Sequence, residues 1–144
     1  MSTPDVKSLH SIGTVRDLYA LLQAIDEVVP TDTVLYVEGT SIAPEIKSFF
    51  AAHSIAGSMQ LPLATMFPRP ETFHVALDPG VLTALRTLAD AHAEPEILDH
   101  LAVYRGDSVL LWAPDAGSSE VLVSQKYAPA IMARLKSLSE PLQN

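Results

Sequence analysis

The sequence predicts an α+β domain: a mixed β-sheet of about five strands with four helices, closed by a C-terminal three-strand antiparallel meander and a last helix. Three observations carry that prediction. Apolar residues recur at helical spacing from Val15 to Val28, and helix-like and strand-like patterns then alternate as far as His92. Three strand patterns follow in succession between Leu98 and Ser124, joined by short turn-like segments, as in a meander. Finally, TVLYV and VLLWA are apolar at odd and even positions alike, so both strands are expected to be covered on both faces. That cover comes either from helices on each side or from a second subunit. A homodimer is the preferred expectation, because two-fold dimers are the commonest oligomers.

Taken in order, residues 1–12 read as a flexible N-terminal segment of a single domain spanning 1–144. Thr14 with Asp17 imitates a capping box, since a short carboxylate favours the first helical turn. Leu18, Leu21, Leu22, Ile25 and Val28 make the apolar stripe of the first helix, and Pro30 ends it. TVLYVE, residues 33 to 38, is a strand, and Pro44 to His53 a short helix with Ile46, Phe49 and Phe50 inward. A short strand near Ser58–Leu61 is weakly patterned, and the proline-broken loop MFPRPE follows it. TFHVAL alternates Phe73, Val75 and Leu77 against His74 and Ala76, which predicts a half-buried strand. Asp78-Pro79 supplies an N-cap and a first-turn proline for a helix running to about His92. LDHLAVYR, SVLLWA and EVLVS form the meander, and Pro129 starts a helix carrying Ile131, Met132, Leu135 and Leu138.

Composition narrows the classes of function. A chain of 144 residues, 48% apolar and 18% charged, has the makings of one ordinary folded domain. It contains no cysteine, so disulfides, thiolate metal sites and cysteine nucleophiles are all excluded. A formal charge of −8 without any basic stripe disfavours nucleic acid and anionic membrane surfaces as partners. Ser48 to Phe67 has no charged residue, but glycine, prolines and polar residues break it too often for a membrane helix. No apolar signal region opens the chain, and a cytoplasmic location is expected.

The motifs able to carry chemistry are sparse. Glu38-Gly39-Thr40-Ser41 sets a carboxylate and two hydroxyls at the end of a strand, before a helix N-terminus. Ligands in open α/β sheets favour that location, and free N–H groups there attract anions. Yet no glycine-rich phosphate motif is present, Glu38 would repel a phosphate, and Gly39 with Thr40 or Ser41 serves equally well as turn and helix cap. The cap is the preferred reading. Among the histidines, His92-Ala93-Glu94-Pro95 matches the first half of a zinc deaminase signature whose second half needs cysteines, so that reading fails. His92 suits the end of a helix, where the dipole favours a cation.

His74 and His100 both lie in strands, and His100 shares a face with Tyr104 by parity. With Glu38 nearby they would form a mixed His/carboxylate metal or acid–base site. Arg105-Gly106-Asp107-Ser108 reads as a two-residue hairpin loop. Trp112, Met59, Leu63, Met66 and Phe67 are candidate contacts for a protein partner.

Two classes of function follow. The preferred one is a non-catalytic protein-interaction module (an inhibitor, an immunity-type or an assembly protein), because the polar constellation expected of an enzyme is thin. The alternative is a small ligand-binding protein or enzyme built on Glu38, Thr40, Ser41, His74, His100 and Tyr104. No cofactor and no metal is expected.

Overall fold

The computed structural model describes residues 8–57, 70–93 and 96–139. Along them run β1 (Leu9–Thr14), α1 (Leu18–Val28), β2 (Val34–Gly39), α2 (Pro44–Ala52), β3 (Glu71–Ala76), α3 (Val81–Ala89), β4 (His100–Arg105), β5 (Ser108–Ala113), β6 (Glu120–Ser124) and α4 (Ala128–Ser139). The fold class is α+β, as the patterning predicts. The strand expected near Ser58–Leu61, and the contacts expected of Met59, Leu63, Met66 and Phe67, lie outside the described residues.

Local chemistry explains most boundaries. Asp17 starts α1, its carboxylate accepting the Ala20 N–H at 3.1 Å, while Thr14 lies in β1. The helical stripe then buries Leu18, Leu21, Leu22, Ala24 and Ile25. Each such leucine is worth about 1.5–3 kcal/mol relative to an exposed one, so packing holds the helix more than propensity does.

α2 begins at Pro44, and its N-cap is Ala43, which has no side chain able to cap. The expectation that Thr40 or Ser41 caps this helix is therefore corrected: both lie upstream of the cap position. The Ala43 N–H is satisfied instead by the Glu96 carbonyl at 2.7 Å. α3 starts at Val81, later than expected, because Gly80 adopts φ +89 and interrupts the turn that Asp78 opens. Glycine reaches that left-handed conformation without the clash a Cβ brings. The helix ends at Ala89, short of His92.

The strands form a six-stranded sheet in the order β1-β6-β5-β4-β2-β3 among the described residues. Every registered pair is antiparallel, which corrects the expectation of a mixed sheet. The reason is an insertion. β3 and β4, joined through α3, both run antiparallel to β2, which lies between them, so the crossover places no parallel strands side by side. The sixth strand is β1, which corrects the expectation of a flexible segment over residues 9–12. Leu9 pairs with Ser124, His10 with Val123 and Ser11 with Leu122. The hairpin predicted at Gly106-Asp107 is present: Arg105 faces Ser108, and Gly106 has φ +61.

The helices neighbour one another in the order α2, α3, α1, α4. Their apolar stripes enter one core with Leu35, Val37, Val75, Leu101, Val103, Leu111, Val121 and Val123 of the sheet. Among the described residues all four helices thus cover the same face. None of them is long and apolar enough to cross a membrane. The opposite face carries a row of cross-strand neighbours running from edge to edge: Ser11, Leu122, Trp112, Ala102, Tyr36 and His74.

Candidate functional site

Side chains alternate along a strand, so Tyr36 and Glu38 emerge on the same side of β2, away from the helices. The register sets Glu38 opposite His100 of β4 and Thr72 of β3, and sets Tyr36 opposite Ala102 and His74. Tyr104 shares this face with His100, four residues away on β4, as parity predicts. Glu38, His74, His100 and Tyr104 are thus gathered on one face of three adjacent strands.

Glu38 is fully buried and accepts a hydrogen bond from the Tyr36 hydroxyl at 2.6 Å. Burial first, then the Glu38 hydrogen bond and charge, push the Tyr36 hydroxyl far above the usual phenol range. Tyr36 is therefore a fixed donor and neither a base nor a nucleophile. The Nδ1 of His100 accepts the Asp115 N–H at 2.8 Å, which assigns the ring proton to Nε2 in a neutral imidazole. Asp115 reaches this position through a left-handed backbone, φ +44. Its carboxylate stands 3.8 Å from the same Nδ1, but a nitrogen whose lone pair takes an N–H has no proton for that pair.

His74 has Nδ1 2.7 Å from the Tyr104 hydroxyl. Its ring tilts against Tyr36, with centroids 5.2 Å apart, and meets the edge of Tyr104 at 5.7 Å. Burial holds its pKa below the usual imidazole value, so it is neutral near pH 7. Gly57 closes over the ring: a Cβ there would stand 2.5–2.6 Å from Cε1, Nδ1 and Nε2.

Thr40 and Ser41 do not join this group. The Thr40 N–H and hydroxyl both donate to one Asp99 oxygen at 3.0 Å, and Ser41 is exposed. Asp99, which has no distinguishing signal in the sequence, thus fastens the end of β2 to the start of β4. His92 leaves α3 behind and contacts Glu45 in the first turn of α2, with Glu96 3.6 Å away. Tyr36 and Asp115 are the members of the network that sequence reading missed. Tyr36 was legible by parity, two residues before Glu38; the turn that aims the Asp115 N–H was not. Trp112 is partly buried and packs with Tyr36, Ala102, Tyr104 and Val109, while Leu9 and Val34 flank the same cluster.

Chemically, the set offers one buried carboxyl group, two neutral imidazoles and two phenols, with no activated nucleophile. Among the described residues no three His, Asp or Glu side chains converge as metal ligands would. No protein-family model, curated protein or solved structure matches this chain.

Proposed function

We propose that this chain is a non-catalytic protein-interaction module that works as a homodimer, its two copies meeting across the helix-free faces of their sheets. The observation that supports this is the pair Leu122 and Trp112, cross-strand neighbours on the face away from the described helices; Ala102 and Tyr36, which continue their row, are already buried within the chain. All described helices lie on the other side, and Leu122 of β6 and Trp112 of β5 are only partly buried. A tryptophan flanked by aliphatic residues has the composition of an interface hot spot, and a two-fold axis would set the pair against its own copy. An inhibitory, immunity-type or assembly role in the cytoplasm belongs to the same proposal. Light scattering at high micromolar concentration tests it. The wild type is expected to have twice the monomer mass and Leu122→Glu the monomer mass; a monomeric wild type overturns the reading.

The buried Glu38, bonded by Tyr36 and facing His100, favours a second reading: a small ligand-binding protein or enzyme. Glu38→Gln and His100→Ala, each assayed for melting temperature and for binding in a metabolite and metal screen, separate the two. Ligands of the wild type that both variants lose, at unchanged melting temperature, select the second reading.

A further inference from the structure

A cleft of about 410 Å³ opens between the β1–α1 link and α4, on the layer opposite the proposed dimer face. That volume lies within the ordinary range of small-molecule sites. Val15, Met132, Leu135 and Leu138 give it an apolar floor, and Met132 is 51% exposed. A half-exposed, unbranched thioether is an adaptable contact for an alkyl chain. The polar rim carries Arg16, Lys136 and Asp17.

Charge sets Arg16 apart from most of the described cations; Lys126, also outside any ion pair among the described residues, lies over the Tyr127 ring, 5.5 Å from its centroid. In a chain of formal charge −8, Lys47, Arg86, Arg105 and Arg134 are each tied to a carboxylate. Arg16 makes no ion pair among the described residues. The neighbouring Asp17 directs its carboxylate at the Ala20 N–H to cap α1. An apolar cleft is thus rimmed by a guanidinium on a molecule that otherwise repels anions.

We propose that this cleft binds a singly charged anionic amphiphile, a linear aliphatic carboxylate of middle chain length. Its alkyl chain lies on Val15, Met132, Leu135 and Leu138, and its carboxylate meets Arg16 in the bidentate fork that guanidinium offers. Arg16 and Lys136 set against Asp17 leave the rim a net charge of +1, which suits one negative charge rather than a polyphosphate, and the apolar floor leaves the ligand's chain no polar partner.

The test is an amide NMR titration of the full chain with sodium decanoate, held below its micelle concentration. Saturable shifts are expected at Val15, Arg16, Ala20, Met132 and Leu135. Arg16→Glu and Met132→Asp, both at exposed positions and both checked by thermal melting, are expected to weaken binding at least tenfold. Decyltrimethylammonium, with the same chain and the opposite charge, is expected to bind at least tenfold more weakly than decanoate. The proposal is overturned by the absence of saturable shifts, by shifts confined elsewhere, by undiminished binding to Arg16→Glu, or by equal binding of the cationic amphiphile. An acidic amphipathic peptide that shifts these residues when decanoate does not overturns it in favour of a protein partner.

Discussion

Replacing Gly57 with alanine sets a methyl group against the face of the His74 ring. The added carbon would stand 2.5 Å from Cε1 and 2.6 Å from Nδ1 and Nε2, where ordinary carbon contacts are about 3.5–4.0 Å. Because three ring atoms are met at nearly equal distance, rotating the ring in its own plane relieves nothing. The imidazole must retreat by about an ångström to restore contact distance. Tyr36 and Tyr104 pack against it, and the 2.7 Å hydrogen bond to Tyr104 must lengthen or break. Overpacking of this kind costs about 1–3 kcal/mol, and a buried hydroxyl left without its partner about 1–3 kcal/mol. The two overlap, so a loss of about 2–4 kcal/mol is expected. Urea unfolding measures it, and a double-mutant cycle with His74→Ala isolates the cause. With the ring removed, Gly57→Ala should cost no more than about 0.5 kcal/mol. An equal cost in both backgrounds refutes the argument, because the penalty would then belong to the backbone of Gly57.

The other predictions concern the same region and its surroundings. Tyr36→Phe takes a donor from the buried Glu38 and is expected to cost about 1.5–3 kcal/mol in chemical denaturation; a loss under about 0.5 kcal/mol contradicts the role given to that bond. Glu38→Gln is not expected to be as silent as a surface carboxylate would be, because Glu38 is fully buried. Burial lowers the folded pKa of His74 from 6.5, so the unfolded chain takes up the proton first as the medium acidifies. Its contribution is therefore complete above pH 6.5 and declines below it until His74 itself protonates, and His74→Asn should flatten that slope in melts run down to about pH 5. His92 has the opposite sign. Its pKa is raised chiefly by the Glu45 hydrogen bond, with a smaller share from Glu96, so its small contribution is present below 6.5 and fades as pH rises through the raised value, and Glu45→Gln should weaken the trend. Gly39→Ala meets Ile42 Cγ1 at 2.5 Å and Cδ1 at 2.7 Å, and since that side chain can turn aside the cost is expected near 1 kcal/mol by thermal melting.

How much of this was legible in the sequence depends on how local the determining force is. The α1 stripe, the β4–β5 turn at Gly106 and the run of three C-terminal strands are written within a few residues each, and each appears where patterning places it. Parity also put His100 and Tyr104 on a common face. Strand direction was not legible, because nothing in VLYVEG says that β2 will insert between β3 and β4. Helix starts misled where backbone geometry took the place of a capping side chain, at Ala43 and at Gly80. The burial of Glu38 was hidden for a different reason. Carboxylates are almost always exposed unless paired, and the pairing depends on Tyr36 sharing its side of the strand.

The pairing of β1 with β6 joins the first described strand to the last. During synthesis β1 leaves the ribosome ahead of the other described strands, and the strand it pairs with, β6, is the last of them to follow. A strand in that position is an aggregation hazard if it is long, flat and apolar. LHSIGT is none of these: only Leu9 and Ile12 are apolar, and Gly13 turns left-handed at φ +85, where the register with β6 slips. The features that make β1 hard to recognise also make it poor at pairing with anything except a finished β6. Closing such a remote contact is slow, since the chain must order most of its length before the contact forms. The faint pattern of this edge strand thus keeps the nascent chain from pairing with its neighbours while the sheet that will receive it is still being made.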